Sequence, residues 1–307
     1  MSEIRTYPKT ANEARTSVGA VLRTLETSGK TSRTQKPNPR PAGIGIGSRE
    51  KGGSTAVPRW LALCVGAAFA SWCLGCAGPP QREVVVMGMI HGGHQTSERY
   101  GIDTVKRYVR AIKPNFILCE IPPDRLKAAL TEFRQTGAVT ESRVRRFPEY
   151  VQAIFPLIEE MDFVIVPCAG WTQEMSDDRR AKLELWETTR PEASQEVDRA
   201  EQAAEQEIED RGLGADPLGI HTDAYDEIVK RGLEPYNRLF NDDLGAGGWD
   251  HINAAHYALI EAALDTHQGA GQRFLITFGS WHKYWFLEKL EKRRDIVLRR
   301  PQDYLGG

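Results

Sequence analysis

Two hydrophobic strand patterns in this chain end in the same four-residue motif, Gly-x-x-His, almost a full domain apart. The first runs from Glu83 to His91 and the second from Arg273 to His282. Each predicts a buried strand, a glycine where the backbone turns tightly, and a histidine at the carboxyl end of the strand. The carboxyl ends of the strands in an open α/β sheet line the ligand crevice. We therefore expect the two imidazoles to converge on one metal ion or one reacting group.

The chain after Arg82 alternates between strand and helix patterns, which predicts an α/β fold with a mostly parallel sheet flanked by helices. Strands are predicted where apolar residues run continuously, over residues 84–90, 115–121, 162–167, 273–278 and 295–299. Helices are predicted from apolar spacing, over residues 97–112, 148–161, 249–267 and 281–294, and after Pro122.

The pattern changes between Glu174 and Arg211, where charged residues and alanine dominate and large apolar residues are few. We expect a helical insertion over residues 174–240, in which this charged segment pairs with residues 225–239. Two roles are open for it, a solvated surface or a lid over a site. In either role the segment is expected to lie outside the core.

The amino-terminal segment has a different composition from the rest of the chain. Residues 1–57 contain ten Lys and Arg against four Asp and Glu, with many Ser, Thr, Gly and Pro. Such a segment buries too little apolar surface to offset its ordering entropy, so it is predicted to be disordered. The formal net charge of the whole chain is −2. No basic block is long enough to indicate a nucleic-acid partner.

Residues 58–76 have the pattern of a signal peptide. No charged side chain lies between Trp60 and Cys76, and Arg59 precedes the run. The run is short for a membrane-spanning helix, which needs about 20 apolar residues, and it suits a signal-peptide core. Its end resembles a bacterial lipoprotein signal, although Cys73 stands where leucine is usual. We expect a lipoprotein of the cell envelope, lipidated on Cys76 and facing the extracytoplasmic side of the membrane. A plain signal anchor is the alternative.

The distance between this signal and Met1 has two explanations. Either translation starts at Val57 on a non-AUG codon, or residues 1–57 form a cytoplasmic tail on an anchored protein. The remaining residues, 77–307, are predicted to form the α/β domain.

The predicted strand ends together provide the chemistry of a metal site. His91, Glu120 and His282 supply two imidazoles and one carboxylate, a common ligand set for a catalytic divalent ion with open positions. Ser280 is expected to cap the following helix, whose dipole favours a neutral His282. Arg125, predicted one helical turn above the strand end, is expected to hold Glu120 or to stabilise developing negative charge. Ordinary structural roles are the alternative for each of these residues.

Further residues near the motifs complete the candidate set. Gly88 and Gly279, the first residues of the two motifs, are assigned to the cofactor-binding set. His94 is a candidate third ligand, with a solvent-exposed loop position as the alternative. His251 and Asn253 are further candidates for residues that line the cleft. His256 is expected to be structural, and His221 and His267 are expected to be exposed in a loop or at a helix end.

Cys119 and Cys168 are the only cysteines after the signal region. Both lie in or beside predicted buried strands, where cysteine behaves as a small apolar residue. We expect two buried thiols, and a disulfide is the alternative open to an exported protein.

The motifs resemble those of the TraB/PrgY and Tiki group of proteins. The matching segments are Val-Val-Val-Met-Gly-Met-Ile-His91, Ile-Leu-Cys-Glu120-Ile-Pro-Pro-Asp-Arg125-Leu and Phe-Gly279-Ser-Trp-His282. This group belongs to a superfamily with the erythromycin esterases and the ChaN haem-binding lipoproteins. Those two branches usually carry glutamate where this chain has Met89. The resemblance implies an α/β fold of two related halves with the site between them, and for the Tiki branch a divalent-metal-dependent protease.

The leading expectation is an exported, membrane-anchored hydrolase that attacks a peptide bond or a small-molecule ester. One divalent ion (Mn, Co or Zn) would be held by His91, Glu120 and His282 and would activate a water molecule. The first alternative is a lipoprotein that binds haem or a metal in the same cleft without turnover. The second is metal-free hydrolysis with one histidine as general base, steered by Glu120.

Overall fold

A five-stranded sheet forms the centre of the fold. The computed structural model of the protein describes residues 81–305. The strands are β1 (Arg82–Met89), β2 (Phe116–Cys119), β3 (Val164–Pro167), β4 (Arg273–Gly279) and β5 (Ile296–Arg299). Their order is β3-β2-β4-β1-β5, and every neighbouring pair is parallel. The predicted α/β class with a parallel sheet is confirmed.

Helices cover both faces of this sheet. The longer ones are α1 (Ile102–Ile112), α2 (Pro123–Thr136), α3 (Gln173–Thr189), α4 (Pro191–Asp210), α5 (Asp223–Phe240), α6 (Trp249–Thr266) and α7 (Lys283–Leu290). Short helical turns span His91–Gln95, Phe155–Leu157, Pro217–Ile220, Gly245–Gly247, Ser280–His282 and Gln302–Leu305. The segment Glu149–Ile154 is a π-helix, where the sequence predicted an ordinary helix over 148–161.

The side chains of β1 divide between two hydrophobic clusters, one on each face of the sheet. Val85, Met87 and Met89 belong to the larger cluster, and Val84 and Val86 to the smaller one. This alternation follows from the two-residue period of a strand. Full burial of one such side chain contributes about 1.5–3 kcal/mol, so a continuous apolar run is what a strand buried on both faces requires.

The two Gly-x-x-His motifs lie on adjacent strands in nearly the same register. Met89 of β1 pairs with Gly279 of β4, and Cys119 of β2 pairs with Thr277 of β4. A short 3-10 helix follows each motif strand, and it begins at His91 in one case and at Ser280 in the other. The carboxyl ends of β1, β2 and β4 therefore meet at one edge of the sheet.

The charged segment from Glu174 to Arg211 is part of the core. The expectation that it lies outside the core was wrong. Val197, Ala204 and Ile208 of α4 are each at most 7% exposed and belong to the larger cluster. They recur at helical spacing on one face of α4. Helix α5 approaches that face closely enough that a Cβ on Gly232 would lie 2.6 Å from the Cβ of Ala204. A few small or medium apolar residues therefore attach an otherwise charged helix to the core.

Cys119 and Cys168 are buried free thiols, as expected. Within residues 81–305, no helix is long and apolar enough to cross a membrane. The predicted signal over residues 58–76 and the segment 1–57 lie outside the described residues.

Candidate active site

Gly279 marks the point where the predicted site residues meet. A Cβ placed on Gly279 would lie 2.8 Å from Nε2 of His91, 3.5 Å from Cδ2 of His282 and 3.6 Å from Oε2 of Glu120. Oε2 of Glu120 accepts a hydrogen bond from the Gly279 N–H at 2.7 Å, and it lies 3.6 Å from Nε2 of His91. The ends of β1, β2 and β4 thus bring two imidazoles and one carboxylate together.

Glycine is required at both motif positions because other atoms approach the backbone closely, and not because the backbone turns tightly there. Neither has a positive φ, and Gly279 has φ −46°, so the expectation of a tight turn at each was wrong. A Cβ on Gly88 would lie 2.9 Å from the Cα of Ser280, which directly follows the neighbouring strand β4. The Gly88 N–H donates to Nε2 of His221 at 2.9 Å. Gly88 is therefore a packing residue, and only Gly279 borders the site.

His91 is held in an unusual backbone conformation by a buried carboxylate. Its φ is 47°, a region that non-glycine residues occupy rarely and often at functional sites. Its Nδ1 donates to Oε1 of Glu149 at 2.7 Å, and its ring packs against Phe147. Burial alone would lower the pKa of His91, but the carboxylates of Glu149 and Glu120 outweigh it and raise the pKa.

Glu149 is the site residue that sequence analysis missed. It is fully buried at the start of the π-helix, and His91 keeps its pKa below the ordinary value despite burial. Tyr150, the next residue, accepts a hydrogen bond from the Glu120 N–H at 2.8 Å and donates to the Thr277 carbonyl at 2.7 Å. The π-helix therefore connects the ends of β1, β2 and β4. π-helical segments are rare and are frequent at functional sites.

The tautomer of His282 follows from its hydrogen-bond partner. The side-chain amide of Asn253 donates to the Trp249 carbonyl at 2.9 Å, so its oxygen faces His282. That oxygen lies 2.7 Å from Nδ1 of His282, which must therefore carry the proton, because an amide oxygen only accepts. Nε2 keeps its lone pair. Burial, with the charges of His256 and His91, holds the pKa of His282 well below its ordinary value.

Ser280 does not cap the following helix. No side chain caps the short helix that starts at Ser280, and the Ser280 hydroxyl bonds to the Tyr225 hydroxyl at 2.7 Å. The expected neutral state of His282 agrees with its lowered pKa, but burial is the main cause, ahead of any helix dipole.

Arg125 pairs with carboxylates other than Glu120. It forms salt bridges with Asp124 at 3.0 Å and Glu141 at 3.7 Å. The cation that interacts electrostatically with Glu120 is Arg146, in the turn that precedes the π-helix. The sequence prediction failed because it relied on distance along the chain from Glu120, and residues 142–146 return to the site from farther away.

Burial shifts the pKa values of Glu120 and Arg146. It raises the pKa of Glu120 above its ordinary value, although His91 and the Gly279 N–H act in the opposite direction. It also lowers the pKa of the Arg146 guanidinium to about 10, against the attraction of Glu120.

A cleft that is open to solvent lies beside these residues. Its polar walls are Glu120, Arg143, Arg146, His256 and His282. Its apolar walls are Pro122, Phe147, Ala169, Trp171, Trp249 and Ile252. Trp249 stacks on the His282 ring at 4.5 Å between centroids. A largely apolar cleft with a few convergent polar groups is the usual form of a small-molecule site.

Two other buried histidines have structural roles. Nδ1 of His94 bonds to the Tyr100 carbonyl at 2.7 Å, and Nε2 accepts from the Ile90 N–H at 3.1 Å. With both nitrogens engaged, His94 is neither a third ligand nor exposed. His221 is also buried, contrary to expectation, and accepts from Gly88. Burial and then the charge of Lys283 lower its pKa to about 3.

The two further candidates for the cleft, Asn253 and His251, have different positions and roles. Asn253 supports His282, whereas His251 is exposed and bonds to the Gly245 carbonyl. Nδ1 of His256 accepts from the Gly170 N–H at 2.8 Å, so its proton is on Nε2 and it lines the cleft as a neutral ring.

The donor types at the site fit a divalent ion. Each histidine has Nδ1 held by a second group, Glu149 or Asn253, which leaves Nε2 as the possible ligand. Such outer hydrogen bonds are typical of metal-binding histidines. Within residues 81–305, however, no group of three or more His, Cys, Asp or Glu side chains has the spacing of a formed metal site.

Comparison with models of known protein families gives no match, and the searches of curated proteins and of solved structures give none either. The resemblance to the TraB/PrgY and Tiki group therefore rests on the motifs themselves.

Proposed function

We propose that this protein is a hydrolase of peptide or ester bonds whose reaction centre lies between His91, Glu120 and His282. The observation that carries the proposal is their convergence on Gly279, from three separate strand ends, beside an apolar cleft. In addition, the environments of the two histidines shift their pKa values in opposite directions. Such divergence is characteristic of sites that carry out acid–base chemistry.

In this proposal His91, Glu120 and His282 hold one divalent ion, of manganese, cobalt or zinc. Such an ion, when bound, polarises a carbonyl group and lowers the pKa of water. Glu149 and Asn253 orient the two imidazoles, each through Nδ1. That leaves Nε2 of each ring available as a ligand.

The residues of the cleft bind the substrate and stabilise charge. Arg146 interacts electrostatically with Glu120 and lines the cleft, so it would stabilise negative charge that develops on a carbonyl oxygen there. Preorganised charge of this kind is often the largest contribution to catalysis. Trp171 and Trp249 form apolar walls that exclude water from the bound substrate.

The test measures hydrolysis and metal content on the same preparations. A panel of nitrophenyl esters and fluorogenic peptides is assayed after chelation and after addition of Mn²⁺, Co²⁺ or Zn²⁺. His91→Ala and His282→Ala should lose both bound metal and activity, whereas His251→Ala, at an exposed histidine outside the site, should lose neither. Metal binding without hydrolysis of any substrate, or a haem absorbance band, would instead indicate a binding protein. Activity that survives chelation but not His282→Ala would make a histidine the general base.

We also propose that the protein is exported and anchored by lipid on Cys76. The support is the uncharged run from Trp60 to Cys76 that follows Arg59. The intact mass of membrane-extracted protein should correspond to a chain that begins at Cys76 plus acyl groups. A full-length chain without lipid refutes the anchor and leaves the hydrolase proposal untouched.

A further inference from the structure

The turn over residues 142–146 places two arginines in the wall of the cleft. Arg146 interacts with Glu120, and its guanidinium lies over the Phe147 ring, 5.1 Å from the centroid. Arg143, three residues earlier, is half-buried and faces the same space. Two neighbouring cations in one wall of the cleft repel each other.

Arg143 is fixed in position but its charge is not balanced by an ion pair. Its Nη2 donates to the Trp171 carbonyl at 2.8 Å, which anchors one arm of the guanidinium. Within residues 81–305 it forms no salt bridge, whereas neighbouring Arg125 is paired with Asp124 and Glu141. A half-buried guanidinium that has lost part of its hydration is stabilised when an anion binds to it.

The other charges in the cleft leave an excess of positive charge. Among the described residues, Glu120 is the one carboxylate in the cleft wall, against the two arginines, and it is already bonded to a backbone N–H. Asp124 and Glu141 also attract Arg143, but both are paired with Arg125. An anionic group on the substrate would offset this positive charge.

We propose that the substrate carries a carboxylate that Arg143 binds, attached to an apolar body that lies against Trp171 and Trp249. The planar guanidinium can bind a carboxylate through two parallel hydrogen bonds, a geometry that lysine cannot reproduce. The inference rests on the proposed function, because it takes this cleft as the substrate-binding part of the same site.

The binding test uses a matched pair of ligands that cannot be hydrolysed. 4-Phenylbutanoate and 4-phenylbutan-1-ol share the same apolar body and differ in charge, and calorimetry gives their Kd values for the wild-type protein and its variants. The wild-type protein should prefer the carboxylate. Arg143→Gln should weaken carboxylate binding by about tenfold to hundredfold, as expected for charged hydrogen bonds, and leave the alcohol unchanged.

The matched control is Arg145→Gln, at an exposed arginine of the same turn that does not line the cleft. It should leave both ligands unaffected. Arg143→Lys keeps the charge but cannot form the two parallel hydrogen bonds, so its affinity for the carboxylate should lie between those of the wild-type protein and Arg143→Gln. It replaces Arg143→Gln in the test if that variant folds poorly. Equal binding of the two ligands, no binding of the carboxylate, or equal losses in Arg143→Gln and Arg145→Gln would overturn the proposal.

The hydrolysis assay separates this inference from the proposed function. After subtraction of the uncatalysed rates, which the free carboxylate of the first ester raises, the mono-4-nitrophenyl ester of glutaric acid should be hydrolysed with a higher kcat/KM than 4-nitrophenyl pentanoate. Arg143→Gln should abolish this difference in kcat/KM. Metal-dependent hydrolysis without any preference for the charged ester would overturn the carboxylate proposal and leave the hydrolase intact. Selective carboxylate binding through Arg143 without hydrolysis of any ester would overturn the hydrolase and leave the carboxylate site intact.

Discussion

Substitution of Gly279 by alanine should damage the site while preserving the fold. The added Cβ would lie 2.8 Å from Nε2 of His91. An ordinary contact is about 3.5 Å, so His91 would have to withdraw by about 0.7 Å. Its ring cannot move freely, because Glu149 bonds to Nδ1 and Phe147 packs against the ring.

The expected magnitude follows from this displacement. A misplacement of about 1 Å in an active site can reduce activity about a hundredfold, so Gly279→Ala should lower kcat about tenfold to hundredfold and weaken metal binding. The φ of −46° and ψ of 138° at Gly279 suit alanine. Overpacking costs about 1–3 kcal/mol, partly offset by about 0.4–1 kcal/mol from the lower entropy of the unfolded chain. The free energy of unfolding should therefore fall by no more than about 2.6 kcal/mol.

Gly88→Ala is the matched comparison, because it changes the equivalent residue of the other motif. Its Cβ would meet the Cα of Ser280 at 2.9 Å, and backbone atoms yield less easily than the end of a side chain. We expect a larger loss of stability than in Gly279→Ala, measured by urea denaturation of both variants beside kcat on the best substrate of the panel. Unchanged kcat and metal affinity in Gly279→Ala, or a greater loss of stability there than in Gly88→Ala, would refute the reasoning.

Three further predictions concern other residues. Glu149→Gln removes the charge behind His91 and should reduce metal affinity or activity about tenfold to hundredfold; unchanged titration calorimetry and kcat would contradict this. The folded-state pKa of His221 is about 3 against the ordinary 6.5, so below pH 6.5 only the unfolded chain takes up this proton. Stability should then fall as pH decreases, by up to about 1.4 kcal/mol per pH unit, and urea denaturation of His221→Gln should show a shallower slope. Ile208→Ala should cost about 2–4 kcal/mol, while Glu209→Ala, exposed on the same helix, should stay within about 0.5 kcal/mol; equal effects would mean that α4 is not part of the core.

The sheet and the meeting of its strand ends could be predicted because both depend on strong local signals. Continuous apolar runs such as Val84 to Met89 identify buried strands. A parallel sheet then brings their carboxyl ends to one edge, so His91, Glu120 and His282 could be grouped without knowledge of the strand order. The order itself, with β4 between β1 and β2, depends on long-range packing that no local pattern specifies.

The partners of the site residues could not be predicted in the same way. Glu149 reaches His91 from a distant π-helix, and the only available signal was a glutamate within the aromatic run Phe147-Pro148-Glu149-Tyr150. Arg146 lies in a turn, where no periodicity of the sequence indicates the direction of a side chain. The apolar face of α4 was overlooked because it consists of valine, alanine and a single isoleucine among many charged residues. The burial of these apolar residues depends on their spacing along the helix and not on their number.

The strand order has a consequence for the time at which the domain can assemble. β4 joins β1 to β2, yet it is the fourth strand along the chain, and Glu83 pairs with Arg273. A nascent chain that ends before Arg273 contains β1 and β2 but lacks the strand that connects them. Contacts so distant in sequence form slowly, because a long loop must close before they form. The sheet is therefore completed only after the segment Arg273–Gly279 has been synthesised, and the domain has to fold after that point instead of progressively from its amino-terminal strand.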